Sequence, residues 1–190
     1  MSRHGESVNN TLNIIGGNSH LSNKGKKYSD FLSEYFIHEE LTVWISDLTR
    51  TKETVSTLAS TLSSTPTIWK NLNEINAGDF DGLILDNIKA YYPKLYQTRN
   101  NDKLNKSYPN GESYIDLQKR VVKVLKNINM EKNDILLIVA HQAVCRVIYS
   151  YFTKEPLSDC TNIDIDLHTI YELIGKKFIK SQGMQLQPKE

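Results

Sequence analysis

Asp134-Ile135-Leu136-Leu137-Ile138-Val139-Ala140-His141-Gln142 is the stretch whose reading decides the fold. Six apolar residues in a row, without polar alternation, describe a strand buried on both faces, as at the centre of a parallel sheet. The run ends at His141-Gln142, where a helix begins that carries Val144, Val147, Ile148 and Tyr151. Upstream, Tyr114, Leu117, Val121, Val124, Leu125 and Ile128 recur at helical spacing. Further back, Leu41-Thr42-Val43-Trp44-Ile45-Ser46 reads as a strand. A helix from about Arg50 follows it, striped by Val55, Leu58, Ala59 and Leu62. Thr67-Ile68-Trp69-Lys70 is a second strand, leading into Asn71-Leu72-Asn73-Glu74-Ile75. Ser22 is placed to cap a helix whose Tyr28, Phe31, Leu32, Tyr35 and Phe36 share one face and read as core. Leu167-His168-Thr169-Ile170-Tyr171-Glu172-Leu173-Ile174 is a candidate for the last strand. Strands alternating with helices predict an α/β fold, a three-layer α/β/α sandwich with a mostly parallel central sheet. One domain over 1–190 is expected. Between 76 and 111 the pattern loosens around Gly78, Gly82, Pro93, Pro109 and Gly111, with helical pieces near 84–92. So long an insert in a compact domain is usually functional.

Composition narrows the partners. The formal net charge is +1 and no dense Lys/Arg run occurs, so neither nucleic acid nor an anionic membrane surface is expected as the main partner. The longest apolar run is far too short to span a bilayer, and no charged-then-apolar leader is read at the start. Cys145 and Cys160 stand in unrelated contexts without metal-type spacing, which fits a reduced, cytoplasmic setting.

In such a sheet, ligands sit beyond the carboxyl ends of the strands. Arg50, Glu74 and His141 all fall at that edge. Singly, each has a plain explanation: a solvated helix residue, a loop carboxylate, a helix-start histidine. Arg3-His4-Gly5-Glu6-Ser7, at the start of the chain, changes the balance. A guanidinium forks onto phosphate oxygens, and an imidazole can attack phosphorus. Glycine lets the backbone approach an anion. The tripeptide recurs by chance, but Arg3, His4, Arg50, Glu74 and His141 together suit phosphoryl transfer. The twin glycines of Ile14-Ile15-Gly16-Gly17-Asn18-Ser19 read as a turn, or as a source of N–H groups for an anion.

With those residues in hand the chain resembles the histidine phosphatase superfamily, which includes the phosphoglycerate mutases. Within it the sequence is most similar to the fructose-2,6-bisphosphatase domain of bifunctional 6-phosphofructo-2-kinase/fructose-2,6-bisphosphatase enzymes. The resemblance rests on Arg3-His4-Gly5-Glu6, Asn10, Arg50 and Leu72-Asn73-Glu74-Ile75-Asn76-Ala77-Gly78. It continues through Tyr108-Pro109-Asn110-Gly111-Glu112-Ser113-Tyr114, His141-Gln142-Ala143-Val144-Cys145-Arg146 and Leu167-His168-Thr169. It implies a phosphoglycerate mutase-like fold and a phosphohistidine at His4. Arg3, Asn10, Arg50 and His141 would hold the phosphoryl group. Glu74 would protonate the leaving 2-oxygen of the sugar and then activate water. Arg99, Lys103, Tyr114, Gln142 and Arg146 would bind the fructose 6-phosphate portion, with backbone of Ile15 and Gly16 near the sugar. No metal and no cofactor is implied, the partner is a small sugar bisphosphate, and a homodimer is left open.

Three departures follow. Leu85 stands where this branch usually has a tyrosine on the 6-phosphate. Thr11, Leu12 and Asn13 replace basic residues. Only Met1 and Ser2 precede the motif where relatives have a full strand, so the expectation is a fragment of a longer protein or a nucleophile on a shortened strand. No Gly-x-x-x-x-Gly-Lys-Ser/Thr loop for a kinase half occurs. Two classes of function result: a phosphohydrolase, of narrow or broader sugar-phosphate range, and a non-catalytic sugar-phosphate-binding domain.

Overall fold

The computed structural model describes residues 1–129, 135–174 and 177–184. Asp134, read as the entry to the central strand, lies outside the described residues. The elements run β1 (Ser2–Arg3), α1 (Val8–Thr11), α2 (Asn23–Tyr35), β2 (Leu41–Ile45), α3 (Thr49–Thr61) and β3 (Thr67–Ile68). They continue with α4 (Leu85–Tyr91), α5 (Pro93–Asn101), α6 (Tyr114–Leu125), β4 (Ile135–Ala140), α7 (Gln142–Thr153) and α8 (Leu157–Cys160). Last come β5 (Thr169–Ile174) and β6 (Lys177–Gly183).

The sheet order is β3-β2-β4-β1-β5-β6. The β2–β3, β2–β4 and β1–β4 pairs are parallel, and β5 runs against both β1 and β6. The mostly parallel expectation therefore holds, with one reversed strand. The apolar run of β4 is explained by its two faces. Leu137 and Val139 pack with Tyr28, Leu32, Val55 and Leu58 of α2 and α3, while Ile138 and Ala140 pack with Leu117, Val121, Val124 and Val144 of α6 and α7. Helices thus cover both faces, giving the three layers.

Several local readings change. Tyr35, read as core, sits at the rim, 36% exposed, with its hydroxyl donating to Glu172. The second strand stops at Ile68, and Lys70–Leu72 turns as a short 3-10 helix. Helix α6 ends at Leu125, leaving Ile128 beyond it yet packed on the core. Helix α5 was not anticipated because it has no apolar stripe: Arg99 is its buried residue, and its start is set by Pro93 in the first turn. Strand β1 pairs through Ser2 and Arg3 with β4 and through Ser2 with β5.

Ser22 caps α2 by accepting from the Gly25 N–H, and this fixes how α2 meets the opening motif. A Cβ on Gly25 would lie 2.1 Å from the Glu6 carbonyl oxygen, and one on Gly5 would lie 2.6 Å from the Gly25 oxygen. Two segments of the chain touch here backbone to backbone. Ala normally stabilises a helix relative to Gly by about 1 kcal/mol. Gly25→Ala is expected to do the reverse, destabilising by roughly 1–3 kcal/mol through overpacking, as measured by urea unfolding. A gain in stability would mean that the loop yields freely.

Candidate active site

The strand register builds the site. Arg3 lies opposite Ala140 in the parallel β1–β4 pair, so His4 and His141 leave the sheet side by side. Their ring centroids are 5.1 Å apart, and both side chains are buried. Arg50, in the first turn of α3, is 4% exposed. Its Nε–H points between the two rings, 3.1 Å from His4 Nε2 and 3.3 Å from His141 Nδ1. Its Nη1 donates to the Gly17 carbonyl at 2.8 Å.

That geometry assigns both tautomers. An N–H aimed at two ring nitrogens requires a lone pair on each. His4 therefore carries its proton on Nδ1 and donates it to the Gly5 carbonyl, 2.7 Å away. His141 carries its proton on Nε2 and donates it to Ser46 Oγ at 2.8 Å. Ser46 Oγ also lies 2.8 Å from Thr51 Oγ1, which reaches the Leu48 carbonyl at 2.8 Å. Burial and then the Arg50 charge hold both histidines well below the ordinary imidazole range. His4 Nε2 is thus a free base at the floor of a cationic site, as a nucleophile toward phosphorus must be.

The surrounding groups fix this pair. Thr54 Oγ1 accepts from the Gly5 N–H at 2.8 Å and donates to the Arg50 carbonyl at 2.6 Å, tying α3 to the motif. His168 Nε2 accepts from the Glu6 N–H at 2.9 Å. Burial, with Lys24 nearby, lowers His168 to about 4. Arg3 donates from Nη1 to the Ile165 carbonyl at 2.8 Å. Burial lowers the Arg3 guanidinium and the Glu74 carboxylate pushes it back up; Arg50 feels the same two effects. Glu74 itself accepts from the Ile75 N–H at 2.8 Å and shares an open cleft with Arg50, Lys70 and Asn73.

A second cationic group lies beside the first. The Arg99 guanidinium sits 4.5 Å over the Tyr108 ring and 5.7 Å from the Tyr114 ring. Arg146 donates from Nη1 to the Tyr114 hydroxyl at 2.8 Å and from Nε to the Ile163 carbonyl at 2.7 Å. Lys103 Nζ donates to Asn162 at 2.6 Å, and burial followed by Arg146 and Arg99 lowers its pKa. Arg146 and Arg3 bond carbonyls two residues apart in the chain, those of Ile163 and Ile165, so the two groups adjoin. Among the described residues, Arg3 Nε and Arg99 Nε are buried donors without a partner.

Other residues singled out in the sequence are placed less centrally. Asn10 spends its carbonyl oxygen on capping α1 through Ser7, which leaves its amide nitrogen as the outward half. Ile15 uses its N–H on Leu83 and its carbonyl on Gly82. The Gly17 N–H goes to Asp81 at 2.9 Å, and Gly16 and Gly17 both adopt left-handed backbone. The twin glycines therefore make a tight loop whose Gly17 end is already bonded within the chain. Gln142 is the half-buried first residue of α7. Sequence reasoning gave no role to Ser46, Thr51, Thr54, Asp81 or Arg120, and used Glu112 and His168 as motif letters only. No described helix is long and apolar enough to cross a membrane.

Comparison with known proteins bears on the family and the fold. The model of the histidine phosphatase superfamily (branch 1) matches residues 1–178. The chain is 37% identical over 180 residues to an Arabidopsis thaliana 6-phosphofructo-2-kinase/fructose-2,6-bisphosphatase, covering 91% of this chain and 23% of that protein. It is 39% identical over 178 residues to a Saccharomyces cerevisiae fructose-2,6-bisphosphatase, covering 91% and 38%. It therefore spans well under half the length of these relatives. Among solved structures, an Escherichia coli putative alpha-ribazole-5'-P phosphatase superposes with TM-score 0.83 at 20% identity, covering 98% of this chain and 97% of that one. Bacillus stearothermophilus YhfR gives 0.81 at 24%, covering 95% and 93%. Those two likenesses bear on the fold.

The buried neutral histidines make stability depend on pH. His4, His141 and His168 stay neutral when folded, whereas the unfolded chain protonates them near pH 6.5. Below that pH the unfolded state binds more protons, so the histidines' contribution to folding stability is full above about 6.5 and falls as the solution is acidified. Urea midpoints are expected to drop between pH 6.5 and 5. A midpoint that rises or stays constant over that range would contradict the neutral assignment.

Proposed function

The chain belongs to the histidine phosphatase superfamily (branch 1), and from that premise we propose that it removes the 2-phosphate of fructose 2,6-bisphosphate. The products are fructose 6-phosphate and inorganic phosphate, and the intermediate is a phosphohistidine at His4. The observation that carries this reading is the pair of adjoining cationic groups, each with a buried guanidinium Nε that lacks a partner. A buried unpaired donor is costly, and a substrate with two phosphates relieves both. The named activity of the yeast relative supports the same substrate.

In this reading His4 Nε2 attacks the 2-phosphorus in line. The phosphorus–oxygen bond to the sugar breaks, its electron pair stays on the 2-oxygen, and Glu74 supplies the proton. Arg3, Arg50 and the Asn10 amide hold the equatorial oxygens, where charge spreads in the transition state, and His141 joins them by binding a proton at Nδ1, which the arriving phosphate charge favours. Arg50 thereby exchanges imidazole nitrogens for phosphate oxygens as partners of its N–H groups. Water then attacks the phosphohistidine and gives its proton to Glu74, and the nitrogen–phosphorus pair returns to His4. Arg99, Lys103, Tyr114, Gln142 and Arg146 take the 6-phosphate and sugar, with Ile15 and Gly16 backbone beside the ring. Residues 76–111 are read as the specificity insert of a single 1–190 domain. Two free buried thiols, Cys145 and Cys160, accord with a cytoplasmic location.

Leu85 favours a second reading, a broader sugar-phosphate phosphatase. It opens α4 with its N–H on the Asn13 carbonyl, and its side chain cannot donate to a phosphate. One lost hydrogen bond to a charged group is worth roughly 1.5–3 kcal/mol.

Brief reaction with 2-³²P-labelled fructose 2,6-bisphosphate, quenched in alkali, is expected to leave label on the protein that is acid-labile and absent from His4→Ala. Chase with a panel of unlabelled sugar phosphates then ranks substrates. No label on folded wild-type protein would replace this reading with that of a binding domain.

A further inference from the structure

Residues 71–76 carry Glu74 in a turn and loop outside the sheet ladder, and the carbonyls of that segment converge on one side chain. Arg120, in α6, donates from Nη1 to the Asn71 and Asn73 carbonyls, both at 2.8 Å. From Nη2 it donates to the Glu74 carbonyl at 2.9 Å and to Glu112 Oε2 at 2.8 Å. Its Nε donates to Glu112 Oε1 at 2.7 Å. All five N–H donors of a guanidinium are accounted for. Glu112 closes the loop from the other end: its Oε2 accepts from the Asn76 N–H at 2.8 Å, and its backbone N–H donates to the Asn76 carbonyl at 2.9 Å. Both side chains are about four-fifths buried. Burial alone would raise the Glu112 carboxyl, but hydrogen bonds from Arg120 and the Asn76 N–H outweigh it and hold the group ionised.

We infer that Arg120 and Glu112 are positioning residues that set the Glu74 carboxyl where it can protonate the leaving oxygen. The inference rests on the reading of Glu74 as the acid. The clamp touches the backbone on both sides of Glu74 and leaves its side chain free to face the cleft. Lysine has three donors in a cone and cannot reproduce a planar fork serving three carbonyls and a carboxylate. Arg120→Lys therefore lets the acid drift, while His4, Arg50 and His141 keep their own contacts.

The leaving group separates this role from general destabilisation. Phosphohistidine formation is measured by rapid quench on full-length wild type, Arg120→Lys, Glu112→Gln and Glu74→Gln, with fructose 2,6-bisphosphate and with p-nitrophenyl phosphate. Nitrophenolate departs without a proton, so its transfer does not need the acid. Misplacing a general acid costs on the order of 10²-fold. Arg120→Lys is expected to slow the sugar substrate by roughly that factor, with KM little changed, and to leave the aryl phosphate within a few-fold of wild type. Glu112→Gln, which keeps its shape and one acceptor, is expected to give the same split more weakly, and serves if Arg120→Lys folds poorly. Glu74→Gln is expected to show the split in full. Equal losses on both substrates in the Arg120 and Glu112 variants, or no loss on either, would overturn the positioning role while Glu74→Gln still splits. A Glu74→Gln enzyme without the split would overturn the acid reading and this inference with it.

Discussion

One Nε–H, that of Arg50, is shared between two imidazoles, and the rest of the site is arranged to make this tolerable. A buried guanidinium is costly unless its donors find acceptors and its charge finds company. Here the acceptors are His4 Nε2, His141 Nδ1 and the Gly17 carbonyl, and the carboxylates of Glu74 and Asp81 act on the charge. In return the guanidinium forces both histidines to present lone pairs. His4 is therefore unprotonated through burial first and the Arg50 charge second, and Arg50 sits there because α3 begins one turn after β2 ends.

The sheet supplies the remaining order. β1 and β4 are parallel neighbours, which brings His4 and His141 out at the same edge, and β2 beside β4 brings Ser46 to the far side of His141. Gly5 and Gly25 let α2 press directly on the turn after His4. The insert then adds Arg99, Lys103 and Tyr108 next to Tyr114 and Arg146. Two adjoining cationic groups, one of them holding an unprotonated imidazole, are what the proposed removal of one phosphate from a sugar bisphosphate needs.

Much of this was legible in the sequence, for identifiable reasons. The run 135–140, apolar on both faces, reads as a central strand, and the stripes of α2, α3, α6 and α7 have the period of helices that cover it. Motif residues at strand ends gave His4, Arg50 and His141. What escaped had no local signature. Helix α5 buries Arg99 instead of an apolar stripe, and β6 follows β5 without a pattern of its own. Ser46, Thr51, Thr54 and Arg120 look like ordinary polar residues in sequence, because their importance lies in which distant backbone or ring they meet. His168 and Glu112 were visible as motif letters, but their contacts with Glu6 and Asn76 depend on the tertiary path.

The central claim is the protonation state that burial and the Arg50 Nε–H together give the two histidines, and long-range ¹⁵N–¹H NMR of the imidazole rings addresses it directly. At pH 6.5 the account requires His4 neutral with its proton on Nδ1 and His141 neutral with its proton on Nε2. An imidazolium spectrum for either ring, or a His4 proton found on Nε2, would contradict it.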